Sequence, residues 1–300
     1  NIVNNLLGRN MNKGLPSAES QKALANSISR YFVQKIADLR DNLTKMESST
    51  KPLSCPPIQS LLKHPEITLS CFSKVTKKEV EKIIKKSNKT SCDLDPIPTK
   101  ILNTILPVVL PAITAIINQC LLTGEFPKSF KSAIVKPLLK KAGLDVDVLE
   151  HYRPVSNLSF LSKIVESVIA CQLLKHMNDN NLLEEMQSAY KAKHSTESAM
   201  VRILNDLHRG VDGKSAMLLV LLDLSAAFDT VDHNILINQL EQNIGIRGSA
   251  LALLKSYLSN RSQAVSIDNI DSELADLVCG VPQGSVLGPL KFCIYTLPIG

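Results

Sequence analysis

The fold turns on Ala216-Met-Leu-Leu-Val-Leu-Leu-Asp223-Leu-Ser-Ala-Ala-Phe228-Asp-Thr-Val-Asp232-His233. Residues 216–222 are apolar without a break. That run is too short to span a membrane and too apolar for a half-exposed strand, so it reads as a strand buried on both faces. A carboxylate, Asp223, stands at its tip, where a rigid scaffold could hold a metal ion. Taken alone the pattern leaves several chemistries open. Aspartyl-nucleophile phosphatases place an Asp there but usually carry a second two residues on, and position 225 is Ser. Nucleotide hydrolases place their magnesium ligand there, yet the chain has no G-x-x-x-x-G-K-[ST] loop. Asp223 could also simply cap a turn.

Sixty residues on lies Gly280-Val-Pro-Gln283-Gly284-Ser285-Val-Leu-Gly-Pro-Leu290. Its three glycines let backbone approach a ligand closely, and the Gln283 amide can hydrogen-bond it. A polymerase needs two divalent ions about 4 Å apart, held by carboxylates on adjacent strands. Asp223 with the Leu224 carbonyl suits half of that requirement. Phe228 is spaced to pack beneath a sugar and exclude a 2′-hydroxyl.

Outward from this centre, residues 20–43 carry helical periodicity, with Leu24, Ile28, Tyr31, Phe32, Ile36, Leu39 and Leu43 on one face. The prolines within 48–70 mark a linker. Thr76-Lys-Lys-Glu79 is a capping box opening a short helix, with Val80, Ile83 and Ile84 inward and lysines outward. That lysine face reads as a solvated surface rather than a phosphate site, because Glu79 and Glu81 dilute it. Residues 91–98 are turn-forming and lead into an apolar helical segment at 99–122. A short strand flanked by lysines follows near 133–138. Helices are expected at 159–178, at 196–209 with Gly210 as C-cap, at 233–243, at 249–259 capped by Ser249, and at 286–297. Gln263–Ile267 alternates like an edge strand. Helices first and mixed elements later suit an α+β architecture.

The 300 residues are 44% hydrophobic with 34 basic and 28 acidic side chains, so a net charge of +6 permits a polyanionic partner without requiring one. Seven scattered cysteines without a C-x-x-C pair indicate neither a disulfide framework nor a zinc site. With no signal peptide and no membrane span in the sequence, the expected location is intracellular, nucleus and/or cytoplasm. A chain opening on Asn1 rather than Met is expected to be cut at both ends.

Asp223-Leu-Ser-Ala-Ala-Phe-Asp-Thr-Val-Asp-His and Gly-Val-Pro-Gln283-Gly284-Ser285-Val-Leu-Gly-Pro resemble motifs A and B of reverse transcriptases of non-LTR (LINE-type, jockey-like) retrotransposons. The resemblance continues upstream in His151-Tyr-Arg153-Pro-Val-Ser-Asn-Leu and Gln187-Ser-Ala-Tyr-Lys191-Ala-Lys-His-Ser-Thr-Glu, similar to the fingers segments. Asn88-Lys-Thr-Ser-Cys-Asp-Leu-Asp-Pro-Ile-Pro98 is similar to the extension before them. It implies a right-hand polymerase fold, with fingers, an incomplete palm and a helical N-terminal extension. Implied boundaries are 1–70 for a connector and linker, 71–150 for the extension and start of the fingers, and 151–300 for fingers and partial palm. The implied activity is RNA-directed DNA polymerisation with two Mg2+ ions (Mn2+ possible), an RNA template, a DNA primer or target, and dNTPs. No membrane is involved in that activity.

By the same resemblance Asp223 is the catalytic, metal-binding carboxylate, with the Leu224 carbonyl beside it. Phe228 and Ala227, Arg153 and Lys191, and Gln283 and Gly284 are the dNTP-binding set. Ala189 and Lys191 stand where the family usually has Gly and Arg, and Lys291 where it has an apolar residue. The Tyr/Phe-x-Asp-Asp motif of a second acidic pair does not occur in the 300 residues, so the chain alone is expected to be inactive. Two other readings remain: a residual RNA-binding protein using its lysines, or a non-functional remnant of a mobile element.

Overall fold

The computed structural model describes residues 15–49, 66–88 and 92–299. Most of the expected linker and part of the 88–98 motif lie outside them. The first helix, α1 (Gln21–Ser49), is longer than its periodic stretch. It is followed by α2 (Lys77–Lys86), α3 (Thr99–Thr104) and α4 (Leu106–Thr123). Strands β1 (Ser132–Leu139) and β2 (Tyr152–Asn157) precede α5 (Phe160–Asp179) and α6 (Thr196–Asp212). Then come α7 (His233–Gln242), α8 (Gly248–Leu258), β3 (Arg261–Ile267), β4 (Ile270–Asp271), β5 (Ala275–Leu277) and α9 (Leu287–Thr296). The architecture is α+β, as expected.

The sheet runs β2-β1-β3-β4, with β5 also on β3. β1 pairs antiparallel with β2 and parallel with β3, while β4 and β5 pair antiparallel with β3. β3 is therefore central, not the edge strand its alternation suggested. It has partners on both sides and α1 lies over it, so its C-terminal half is buried whatever the local pattern.

Two apolar cores result. The larger is helical, built from α2, α4, α5, α7, α8 and α9. The smaller joins Leu24, Ala25, Ile28 and Phe32 of α1 to Val135, Tyr152, Val265 and Ile267 of the sheet. Leu43, assigned to the same face, is exposed. Helix α4 is long and apolar enough to cross a membrane by length and composition; here Leu106, Leu110, Ile113, Ile117, Cys120 and Leu121 form its buried face.

Local chemistry sets the helix ends. Thr76 and Glu79 close the expected capping box on α2, and Val80 and Ile84 point inward. Asp232 caps α7 by accepting the Asn234 and Ile235 amides. Two expected boundaries move. α8 opens at Gly248 after Arg247 with no side-chain cap, so Ser249 is not its cap. α6 runs through Gly210 to end at Gly213, because an isolated glycine weakens a helix without stopping it.

Candidate functional site

After α6, residues 215–224 have no regular secondary structure, and Met217–Leu222 and Leu224 are exposed. Leu218 and Leu222 are 86% and 85% accessible. The expected buried strand is therefore not formed. A buried strand needs neighbours to take its N–H and C=O groups, and none of β1–β5 pairs with this segment. Helix α6 shares the condition: none of its side chains is buried, and Met200, Val201 and Leu204 face outward. Asp223 consequently sits exposed on an unpaired stretch, with Leu224 exposed beside it.

Order returns at Ala226, whose φ of 53° places it in the left-handed region. Its carbonyl accepts the Asp229 amide at 2.8 Å and the Thr230 amide at 3.1 Å, closing a turn. Phe228 leaves this turn to pack against Phe292 (centroids 5.0 Å apart) and edge-on to Tyr190 (6.2 Å). Ala227 beside it is half-buried.

The turn is stitched to the loop after β5. The Gly280 amide donates to the Val231 carbonyl at 2.7 Å, and the Val281 amide to Phe228 at 2.8 Å. On the other side the Ser156 amide of β2 donates to the Gln283 carbonyl at 2.7 Å. Two glycines make these approaches possible. At Gly280 (φ +79°) an added Cβ would lie 2.6 Å from the Asp229 carbonyl oxygen. At Gly284 (φ +116°) it would lie 2.6 Å from that of Ser156.

The side chains reinforce the junction. Gln283 Nε2 donates to both Asp229 carboxylate oxygens, at 2.9 and 2.8 Å. Burial raises the Asp229 pKa to about 6, against the opposing influences of Gln283 and of Lys35 on α1. His233 Nε2 donates to the Gly280 carbonyl at 2.7 Å, and burial holds its pKa below the usual histidine value. Arg40 of α1 reaches Asp232 at 2.6 Å. Burial raises the Asp232 pKa, but Arg40 and the two cap amides outweigh it and hold the carboxyl below its ordinary value. Between α1 and the loop lies a cleft of about 140 Å3 lined by Lys35, Arg40, Tyr152, Asp229, Gln263 and Gln283, among others.

Of the residues read from sequence, Phe228, Gln283 and Gly284 come together at this junction. Asp223 and Leu224 do not join it. Arg153 is exposed on β2 opposite Leu138. Lys191 Nζ donates to the Glu185 carbonyl at 3.2 Å and the Glu184 carbonyl at 3.5 Å, which ties it to its own loop. Asp229, Ser156, Lys35 and Arg40 were missed as members. Asp229 had a signal, since it is the acidic residue beside Phe228. The two α1 cations had none, because they are nearly two hundred positions away.

Mg2+ is usually held by one or two carboxylates, with substrate phosphates and water completing its octahedron. Asp223 with the Leu224 carbonyl supplies one such carboxylate, and no group of three His, Cys, Asp or Glu residues is gathered among the described residues.

A family model described as reverse transcriptase (RNA-dependent DNA polymerase) matches residues 139–299, which include β2, Asp223, the turn and the loop. Three relatives from Drosophila melanogaster are similar over longer stretches. The probable RNA-directed DNA polymerase from transposon X-element is 31% identical over 72% of this chain and 24% of its own length. The RNA-directed DNA polymerase from mobile element jockey is 29% identical over 80% of the chain and 26% of its own length. The probable RNA-directed DNA polymerase from transposon BS is 34% identical over 64% and 21%, respectively. The chain thus spans about a quarter of the length of these relatives.

Proposed function

We propose that this chain, which belongs to the reverse transcriptase (RNA-dependent DNA polymerase) family, is the fingers and part of the palm of a non-LTR retrotransposon polymerase that copies RNA into DNA. The observation that supports this most is the three-way junction of β2, the Phe228–Val231 turn and the Gly280–Ser285 loop. Two glycines there bring backbone within contact distance on either side of Gln283, and the junction falls inside the family match. In this reading residues 1–70 are connector and linker, 71–150 the extension and start of the fingers, and 151–300 the fingers and partial palm.

The residues present would receive a primed template. Arg153 is exposed and free to meet phosphate, and Phe228 offers a half-buried ring. Gln283 and Gly284 present one face of the loop. Phosphoryl transfer is driven chiefly by positioning and charge stabilisation, and positioning is the part these residues would supply. Asp223 is the carboxylate this reading assigns to the divalent ions, and no Tyr/Phe-x-Asp-Asp pair accompanies it in the 300 residues. In this reading the 300 residues alone bind primed RNA but do not polymerise.

The test is photo-crosslinking of a 4-thiouridine-substituted primed RNA, mapped by peptide mass. Crosslinks concentrated in 152–157 and 280–290 are expected. Crosslinks that avoid both segments would refute the reading.

A further inference from the structure

Behind the Gly280–Leu290 loop lies a set of buried ionisable residues that the proposed function leaves unused. Glu166 of α5, Tyr257 of α8 and Lys291 of α9 are fully buried, and Arg261 of β3 is 2% exposed. Glu166 accepts the Val286 amide at 2.8 Å and the Leu287 amide at 3.0 Å through one oxygen, and the Ser162 hydroxyl at 3.3 Å through the other. Lys291 Nζ lies 3.3 Å from the Tyr257 ring centroid, and the Arg261 guanidinium carbon 4.7 Å from it. Arg261 donates one hydrogen bond to the Tyr257 carbonyl at 3.1 Å. Lys291 Nζ and two Arg261 nitrogens find no hydrogen-bond partner among the described residues. The Tyr257 hydroxyl faces Glu166 and Ser285 without reaching hydrogen-bond geometry to either.

Among the described residues, one buried carboxylate, Glu166, stands near two buried basic groups, Arg261 and Lys291. An unpaired buried amine is costly; the Tyr257 ring lies against Lys291 Nζ, and the Glu166 charge favours the amine without forming a salt bridge to it. That carboxylate also takes the Val286 and Leu287 amides at the start of α9, where the N-cap residue Val286 has no side-chain cap and the Ser285 hydroxyl takes the Gly288 amide at 3.0 Å. Burial pushes the Glu166 carboxyl up and the Lys291 amine down, and each opposes the trend in the other.

We infer that Glu166 is a positioning residue: its carboxylate, whose charge also favours the buried Lys291 amine, fixes the start of α9 on α5 and so sets where Gln283 and Gly284 stand against Ser156 and Asp229. What the loop then contacts rests on the proposed function; the mechanical coupling does not. Neither residue touches the cleft, and neither was a candidate in the sequence beyond the unusual basic character of Lys291.

The experiment compares Glu166→Gln, Lys291→Met and the double variant in the full 300-residue chain. Amide exchange at Val286 and Leu287 is read by mass spectrometry. The thiol-labelling rate of Cys279, buried just before the loop, is read in parallel, as is the urea midpoint. E166Q is expected to speed both local rates by about tenfold or more, leaving α7 exchange unchanged. Adding K291M should recover the midpoint, because the uncompensated amine is gone, without recovering Val286 and Leu287 protection. K291M alone should fold and keep that protection, which keeps the proposal testable should E166Q unfold. The inference is overturned if E166Q leaves the two amides protected, if exchange rises equally in α5, α7 and α8, or if K291M strips protection by itself. None of these readouts needs RNA or nucleotide. Lost crosslinking to a loop that stays protected would count against the functional reading alone.

Discussion

Asp229→Asn is the substitution from which most can be read. Asp229 stands in the wall of the cleft under Gln283, with Lys35 and Cys279 near it. Its carboxyl moves from an ordinary 3.8 to about 6 because burial penalises the charged form. Between those two values the unfolded chain has released the proton and the folded chain still holds it, so stability falls as pH rises through the window. At about 1.4 kcal/mol for each tenfold change in acidity, ionisation works against the fold by about 3 kcal/mol once pH exceeds the folded value. The contribution is fully present below the unfolded pKa and lost above the folded one. Asparagine cannot ionise, and its side-chain oxygen still accepts from Gln283 Nε2. D229N should therefore match the parent near pH 4 and exceed it by up to about 3 kcal/mol near pH 8. Urea unfolding of both proteins at the two pH values measures this, and other titrations cancel in the difference. A difference that is constant with pH, or that favours the parent at high pH, would refute the assignment of a buried, ionisable Asp229.

Other substitutions probe separate parts of the account. Leu222→Ser should change unfolding free energy by less than about 0.5 kcal/mol, since that side chain is exposed; a loss above about 2 kcal/mol would show the run paired and buried after all. Gly280→Ala should cost about 1–3 kcal/mol, from the positive φ and the 2.6 Å approach to Asp229; an unchanged melting temperature would mean the loop does not press on the turn. Leu254→Ala in the fully buried core should cost about 2–5 kcal/mol by denaturant titration, and a neutral result would contradict the packing of α8. Lys82 and Lys86 edge a groove of about 650 Å3 with Lys74 and Lys175. As a solvated face these lysines should matter little, so K82E/K86E is expected to leave the salt dependence of RNA retention on filters nearly unaltered, and a clearly flattened dependence would place phosphate on them.

Much of the helical frame was legible because its signals are local. The capping box at Thr76 and the 3.6-residue periodicities of α1 and α5 each act within a few residues. The rest was decided by partners far away in sequence. β3 looks like an edge strand until β1 and β5 flank it, and residues 216–222 look like a buried strand until no neighbour pairs with them. The same division holds at the site. Gly280 and Gly284 announce a close approach in the sequence, but nothing local says that Ser156 and Asp229 are what they approach. Lys291 looked out of place on an apolar helix, and only the fold shows Glu166 and the Tyr257 ring beside it.

The most direct test places this chain in the jockey polymerase in exchange for the segment it matches, and measures templated dNTP incorporation on primed RNA. The account predicts magnesium-dependent synthesis by the chimera, its abolition by Asp223→Asn, and no synthesis by the 300-residue chain alone. A chimera that binds primed RNA as its parent does but adds no nucleotide, or one indifferent to Asp223→Asn, would contradict it.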